Sequence, residues 1–274
     1  MKQQSRRLHR GWIVSLAAVI LCFCVPGRVN AATYSFQKNT QVTIPSEQSS
    51  TGTGQYIWIS YKAPEDGYLT VTASAASVQK ASADDSTEQA AEQSSTVLQQ
   101  STGEFRLYHS GRKTALSDSC SFNTQNAGKN SVSYGMKKKT TYYLRVKTSE
   151  AVVLSAAFHK AGGKSGSSKK KAVSVNSRKT VSGVIPAGDK TAHWYKVWVK
   201  KKQVLHFYYA GSASGKLRLT FSGTYLKTAD RYIREGNASW HHTYTTERVQ
   251  PGTYYIRVER GSRTSSGAYQ LKWK

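Results

Sequence analysis

Residues 253–258 read Thr-Tyr-Tyr-Ile-Arg-Val, and residues 141–146 read Thr-Tyr-Tyr-Leu-Arg-Val, 112 positions earlier. The same offset relates the Phe-Arg-Leu of residues 105–107 to the Leu-Arg-Leu of residues 217–219. Aromatic and β-branched residues of this kind are typical of strands. One spacing held across about 40 residues predicts two copies of a single folding unit.

Towards the amino terminus the offset between the copies grows to 136, because the Ile-Trp-Ile of residues 57–59 matches the His-Trp-Tyr of residues 193–195. The difference of 24 residues predicts an insertion in the first copy. Residues 74–102 are rich in Ser, Ala, Gln, Thr and acids, and such a stretch buries too little apolar surface to offset its ordering entropy. We therefore predict a flexible surface loop there, with a short helix around residues 84–93 as the alternative.

Both copies carry the pattern of β-structure. Tyr195, Val197 and Val199 alternate with other residues, and a lysine-rich turn then leads to Leu205 and Phe207, which alternate again. Strands about every 8–12 residues, separated by Gly-rich turns, predict an all-β fold of two tandem antiparallel β-sandwich (jelly-roll-like) domains. The predicted divisions are a first domain at 32–160, a Gly/Ser/Lys linker at 161–171 and a second domain at 172–274.

The amino-terminal segment has the pattern of an export signal. Residues 1–10 carry four basic residues and no acid, residues 12–25 are almost wholly apolar, and residues 29–31 offer the small side chains that a signal peptidase reads. An apolar core of about 14 residues is short for a membrane span. We therefore predict a cleaved signal peptide at 1–31, with an uncleaved anchor as the alternative, and a secreted protein in the extracellular space or at the cell wall. Cys120 is then the only cysteine left, which excludes an internal disulfide.

The charge of the chain is strongly positive. It has 40 basic and 15 acidic residues, a net charge of +25, and removal of residues 1–31 leaves +20. This excess is larger than solubility requires and predicts attraction to anionic partners that weakens in salt. Outside the cell such partners are wall polymers and acidic glycans, whereas nucleic acid is not expected. Solubility alone is the alternative explanation.

Three lysine triplets are the candidate polyanion-binding residues, although lysines in turns can also be merely solvated. They are Lys137, Lys138 and Lys139; Lys169, Lys170 and Lys171; and Lys200, Lys201 and Lys202. Exposed aromatic rings supply stacking surfaces for sugars. The candidate glycan-binding residues, in or near a variable loop of the second copy, are Trp240, Tyr225, His241 and Tyr244. Trp58 and Trp194 occupy equivalent positions in the two copies, which favours a shared packing role instead.

No catalytic site is predicted. His241 and His242 are adjacent, and neighbouring residues of a strand point to opposite faces, so they would not converge on one metal ion or substrate. The sequence contains no Gly-x-Ser-x-Gly, His-Glu-x-x-His or phosphate-binding loop motif. The acids are scattered, without the paired carboxylates of glycoside cleavage. We therefore expect a non-enzymatic protein with no metal site.

The order of segments in the second copy resembles the bacterial pre-peptidase C-terminal domain family over most of residues 181–274, and the first copy resembles it more weakly over 42–158. The segments that carry the resemblance are residues 194–197, 217–219, 251–258 and 267–271. The resemblance implies small non-catalytic β-sandwich modules, attached to secreted enzymes, that help polymer binding, secretion or enzyme stability. This chain departs from that arrangement, because no peptidase domain precedes the two copies.

Some members of that family bind calcium through acids near the first strands. Here only Asp189 in the second copy, and Glu65 and Asp66 in the first, lie in the corresponding places. A calcium site needs about six oxygen ligands, several of them carboxylates. No cofactor is therefore predicted, and calcium stays as a minor alternative.

Taken together, these features predict a secreted, non-catalytic binding protein that adheres to an anionic cell-wall polymer or an extracellular glycan. Its basic turns would supply diffuse attraction and its aromatic loops would supply selection. The alternative is an accessory or structural subunit that assists a separate secreted peptidase or other hydrolase.

Overall fold

The computed structural model describes residues 33–36, 40–44, 57–80, 95–126, 130–160, 163–235 and 239–274. The predicted signal peptide at 1–31 lies outside these residues. Within the described ranges every regular element is a β-strand. The strands are β1 Thr33–Ser35, β2 Gln41–Ile44, β3 Ile57–Lys62, β4 Gly67–Lys80, β5 Ser95–Gln99, β6 Thr102–Tyr108, β7 Cys120–Asn123, β8 Ser131–Met136, β9 Thr141–Thr148, β10 Val152–Lys160, β11 Val173–Ser174, β12 Val181–Ile185, β13 His193–Val199, β14 His206–Ser214, β15 Lys216–Gly223, β16 Leu226–Arg234, β17 His241–Tyr244, β18 Gly252–Arg260 and β19 Ser266–Trp273.

Period-two alternation accounts for the burial of these strands. In β18, Tyr254, Ile256 and Val258 are almost fully buried, while the residues between them keep part of their surface. Burying one large apolar side chain contributes about 1.5–3 kcal/mol, so each such strand fixes which of its faces is turned to the core.

The strands form two sandwiches whose strand orders correspond, except that the first has β5 as an additional strand. The first has one sheet in the order β1-β3-β9-β6-β7 and a second sheet in the order β2-β10-β4-β5, with β8 also paired to β4. The second has sheets in the orders β11-β13-β18-β15-β16 and β12-β19-β14-β17. The two Thr-Tyr-Tyr segments begin the equivalent strands β9 and β18, each in the middle of its sheet.

The predicted all-β sandwich fold is confirmed. One detail differs from a purely antiparallel arrangement, since β1 pairs in parallel with β3 and β11 pairs in parallel with β13. Between the two members of each pair the chain passes through a strand of the opposite sheet. It therefore returns to its first sheet by a crossover, which is the kind of connection that parallel neighbours require.

The insertion in the first copy differs from the predicted loop at 74–102. Strand β4 continues to Lys80, and its far end pairs with β5 from Ala76↔Gln99 to Lys80↔Ser95. The ends of the insertion are therefore strands, because a backbone ladder satisfies its own polar groups even where few apolar side chains are available. The alternative helix at 84–93 falls within residues 81–94, which lie outside the described part of the chain.

The two sandwiches pack against each other, and residues 31–274 form one compact unit. The backbone N–H of Gly135 in β8 donates to Ser266 Oγ at 3.2 Å, and its carbonyl accepts from the N–H of Ala187 at 2.8 Å. Ala187 precedes the second sandwich's main strands, yet it is buried in the core of the first sandwich. The junction therefore includes direct hydrogen bonds and a buried apolar contact between the two halves.

The predicted linker is described from residue 163 onwards. Within it, Gly166 and Trp194 exchange two backbone hydrogen bonds of 2.8 and 3.1 Å. The N–H of Lys171 donates to the carbonyl of Ser168 at 3.0 Å, which closes a turn. This part of the linker is therefore held against strand β13.

Candidate functional site

The outer face of strand β13 presents an alternating row of aromatic and basic side chains. Its inward residues Tyr195, Val197 and Val199 are fully buried, so the residues between them point away from the core. The outward row, continued into the following turn, is Trp194, Lys196, Trp198 and Lys200.

Trp198 is the most exposed aromatic residue of that row. It lies opposite Thr253 on β18, and 60% of its surface is accessible. A large apolar ring left uncovered by its small neighbour is the usual form of a stacking surface for a sugar or another flat group.

A groove of about 930 Å³ lies beside Trp198, and its far wall is the loop at residues 174–178. The Trp273 indole N–H donates to the carbonyl of Val175 at 2.7 Å, and the N–H of Arg178 donates to the carbonyl of Trp273 at 2.7 Å. The N–H of Val175 also donates to the carbonyl of Lys196 at 2.9 Å. Because the wall is tied to both β13 and β19, the groove is formed before any ligand arrives.

The side chains that line this groove make it strongly cationic. Five of them are basic and none is acidic; the basic ones are Arg178, Lys196, Lys200, Lys201 and Lys274. We call this site, together with Trp198, the cationic groove. A concave surface lined by charges of one sign concentrates the field and attracts ions of the opposite sign.

The positive charge of the chain is concentrated in the half that contains the groove. Residues 172–274 have 18 basic and 5 acidic side chains, a net charge of +13, whereas residues 32–160 have 13 basic and 10 acidic ones, a net charge of +3. The first sandwich therefore contributes little to the long-range attraction of anions.

The equivalent hairpin of the first sandwich has the opposite charge. Where the β13–β14 turn carries lysines, the β3–β4 turn carries Glu65 and Asp66. Glu65 pairs with Lys160 at 2.5 Å, and Asp66 accepts from the backbone N–H of Lys138 at 2.8 Å. The cationic groove is therefore a property of the second sandwich and not of the fold.

Two of the three predicted lysine triplets lie near the outer face of the β13 sheet. Lys200 and Lys201 line the groove, and Lys202 is exposed in the same turn. The Lys169 ammonium stands 4.7 Å from the ring centre of Tyr255, which lies directly opposite Lys196. Lys170 and Lys171, the rest of that triplet, are solvated in the adjoining turn.

The third triplet lies at the junction of the sandwiches. Lys137 is 3.8 Å from Asp189, so part of its charge is already compensated. Lys138 and Lys139 are exposed, and Lys139 takes a left-handed backbone conformation (φ 61°) that closes the turn. These lysines do not line the cationic groove.

The four residues predicted to bind glycan do not lie together in the structure. Trp240 and Tyr244 are 43% and 59% exposed and lie at the two ends of β17. His241 stacks on Tyr209. Tyr225 lies in the β15–β16 turn, which belongs to the other sheet of the sandwich. They therefore form no single platform.

The opposite orientation of the paired histidines follows the strand geometry. His241 stacks on the almost buried Tyr209, and His242 stacks on the outward Tyr208. The sequence argument that these two side chains do not converge is therefore correct.

The sequence reasoning missed Trp198, Lys196 and Lys274 as site residues, and it noted Arg178 only as a basic residue that follows the linker lysines. Period-two alternation alone places Lys196 and Trp198 on the outer face of β13, so a signal for them was available. Arg178 and Lys274 come from a loop and from the end of β19, and only the folded arrangement brings them to the groove.

The acids considered for calcium do not form a suitable site. Glu65 pairs with Lys160, and Asp189 accepts from the N–H of Thr191 while facing Lys137. In the described ranges no group of three or more His, Cys, Asp or Glu side chains could hold a metal ion. Among the same residues, no helix has the length and apolar character needed to cross a bilayer.

The sequence matches no family model and no curated protein. Among solved structures it is similar to the pre-peptidase C-terminal domain of collagenase from Bacillus anthracis, with a TM-score of 0.30 and 17% identity, over 38% of this chain and 94% of that one. It is also similar to tripeptidyl peptidase 2 (TM-score 0.29, 10% identity, 90% of this chain and 24% of that one) and to the CUB1-EGF-CUB2 domains of human MASP-1/3 (TM-score 0.24, 7% identity, 87% and 100%). The first of these is a domain of the family that residues 181–274 resemble in sequence.

Proposed function

We propose that this protein is a secreted, non-catalytic binding protein that holds an anionic cell-wall polymer or an acidic extracellular glycan in its cationic groove. The observation that carries the proposal is the groove itself, whose lining contains five basic residues and no acid together with Trp198, which is 60% exposed. The groove is lined by charges suited to phosphate, sulfate or carboxylate groups, and it offers one flat surface for a sugar ring.

Binding in this site would be the sum of several modest contacts. A single solvent-exposed ion pair contributes about 0.2–1 kcal/mol, so one lysine cannot hold a ligand. A polymer presents its charges in series and can engage all five basic residues together, while Trp198 stacks on a ring between two of its charged groups. Repeated contacts along one polymer convert weak local affinity into firm attachment.

The proposal includes membership of the pre-peptidase C-terminal domain family. Residues 251–258 and 267–271, the most specific part of the resemblance, provide the central strands β18 and β19 of the two sheets that enclose the second core. Modules of that family are appended to secreted enzymes and help polymer binding, secretion or enzyme stability, which agrees with the export signal predicted at residues 1–31 and with the basic lining of the groove.

The salt dependence of binding tests this function. The chain from residue 32 onwards is titrated with polygalacturonate, with poly(glycerol phosphate) and with uncharged dextran at 50 and 500 mM NaCl. We expect affinity for both anionic polymers to fall about 10–100-fold across this range, because the Debye length shrinks from roughly 14 Å to about 4 Å, and we expect no binding of dextran. Affinity that stays constant between the two salt concentrations would contradict the proposal.

A further inference from the structure

The outer face of the β12-β19-β14-β17 sheet carries a second cluster, distinct from the cationic groove. At its centre Nδ1 of His206 and Nε2 of His242 are 3.0 Å apart. Their ring planes differ by 13° and their ring centres are 5.2 Å apart, so the rings meet through their edges and share one N–H···N hydrogen bond. A pair joined in this way holds one proton between two nitrogens and can accept a further proton at an outer nitrogen.

Aromatic rings and ammonium groups surround this pair. His242 stacks on Tyr208 with ring centres 4.5 Å apart, and the ring centre of Tyr244 lies 5.7 Å from that of His242 and 5.9 Å from that of His206. Lys272 stands 4.5 Å from the ring centre of Trp240 and 5.2 Å from that of Tyr208. We call these residues, together with Lys274, the histidine face.

No acid side chain balances these charges on the surrounding strands. The described residues of β12, β14, β17 and β19 contain neither Asp nor Glu, and neither does β8, which packs across the other end of this sheet. The titratable and charged side chains that these strands place on the face are two lysines, two histidines and the hydroxyls of Tyr208 and Tyr244. Strand β16 also packs against β14, but its Asp230 accepts from Thr220 of β15 and its Arg231 donates to Thr243.

Desolvation, the second imidazole and Lys274 all disfavour a positive charge on His206. Partial burial, followed by repulsion from His242 and from Lys274, lowers the pKa of His206 below its ordinary value. His206 is therefore less readily protonated than an ordinary histidine, and the cations that the face already carries are Lys272 and Lys274.

We propose that the histidine face is a second binding site, that its ligand is a sugar bearing a carboxylate or sulfate group, and that binding there takes up a proton. The exposed rings of Trp240 and Tyr244 supply stacking surfaces, and the lysines fix the anionic group beside the imidazole pair. A sugar acid satisfies both features, whereas a neutral sugar would leave two ammonium groups without a counter-charge.

The direction of the pH dependence follows from the charges. A bound anion cancels the repulsion that opposes protonation, so it raises the pKa of His206 in the complex above that in the free protein. The complex therefore binds more protons than the free protein, and affinity rises as pH falls through the region between these two pKa values. The gain is complete below the lower pKa and vanishes above the higher one.

Lys274 links this site to the cationic groove. It lines the groove, and its ammonium also stands 5.3 Å from the ring centre of Tyr208. One polymer can therefore pass from the groove around the sheet edge onto the histidine face. The two sites share Lys274, but the imidazole pair, Lys272 and the rings of Trp240 and Tyr244 belong to the second site alone.

The test uses short ligands that stay ionised throughout. Trigalacturonate and a sulfated maltotriose, with plain maltotriose as the neutral probe, are titrated calorimetrically at pH 5.0 and 7.5 in buffers of different ionisation enthalpy. We expect about tenfold tighter binding of at least one anionic probe at pH 5.0, with net proton uptake, and no binding of maltotriose. Comparison of the affinities for the two anionic probes shows whether the site prefers a carboxylate or a sulfate.

Four variants test whether the pH effect on binding arises at the histidine face. His206→Gln with His242→Gln should reduce the pH effect to less than about twofold, whereas His109→Gln, an exposed histidine of the first sandwich, should keep it. Trp240→Ala should weaken binding equally at both pH values, because stacking does not titrate. Trp198→Ala should leave the pH effect unchanged. A pH effect that persists in the double histidine variant, or the absence of a pH effect in the native protein, would overturn the proposal. Either result would leave the proposed function of the cationic groove unaffected.

Discussion

Replacing Lys200 and Lys201 by glutamate is expected to weaken binding of polygalacturonate about 100-fold at 50 mM NaCl. The double change removes two attractive contacts from the cationic groove and places two acids beside its remaining cations. It also gives the β13–β14 turn the acidic character that Glu65 and Asp66 give to the equivalent turn of the first sandwich. Like-charge contacts in a recognition site oppose binding strongly, and two lost plus two repulsive contacts of about 0.5–1 kcal/mol each account for the size of the effect.

A matched control is available at the sandwich junction. Lys138→Glu with Lys139→Glu changes the net charge by the same amount, on exposed lysines of the first sandwich that do not line the groove. We expect at most a two- to threefold loss for this variant. Equal losses in the two double variants would mean that overall charge, and not the groove, controls binding.

Replacing Gly135 by alanine is expected to lower the thermal unfolding midpoint by about 5–10 °C. A Cβ at this position would lie 2.1 Å from the backbone carbonyl oxygen of Ile185, and 3.0 Å from the backbone nitrogen of Gly267. Both neighbours belong to the second sandwich, and backbone atoms cannot move aside as a flexible side chain can. Overpacking of this kind costs about 1–3 kcal/mol, and each kcal/mol corresponds to about 2–4 °C in a protein of this size.

Gly111→Ala is the control for this substitution. A Cβ at Gly111 meets no atom within 4 Å, so its unfolding midpoint should stay within about 2 °C of the native value. The groove lies away from the junction, so Gly135→Ala should still bind polygalacturonate below its unfolding temperature. Equal midpoints for the two alanine variants would show that the sandwiches do not pack through β8 as described.

The repeat and its alternation were sufficient to predict the fold class. Strands β9 and β18 were recognisable because aromatic and aliphatic residues occupy their central inward positions, and that signal is local. The junction could not be predicted in this way. Ala187 enters the core of the first sandwich although it belongs to the second copy, and no period or turn motif marks that contact.

The candidate site was only partly predictable, for a similar reason. Composition drew attention to Lys200 and Lys201, which do line the groove. Composition also grouped Tyr225 with Trp240, since both lie in one variable stretch, but the β15–β16 hairpin carries Tyr225 away from β17. Which turns face the same side of a sandwich depends on the packing of distant strands.

The central claim is that the cationic groove of the second sandwich binds anionic polymers, and the indole N–H signals of the protein test it most directly. Trp198 and Trp58 both lie on an outer sheet face, one beside the groove and the other on the first sandwich. Two-dimensional ¹H–¹⁵N spectra are recorded during titration with trigalacturonate at pH 7.5, with Trp198→Phe to assign the signal. A shift of the Trp198 signal that saturates, while that of Trp58 stays in place, is the predicted result. A Trp198 signal that does not move at saturating ligand, or that moves no more than that of Trp58, would contradict it.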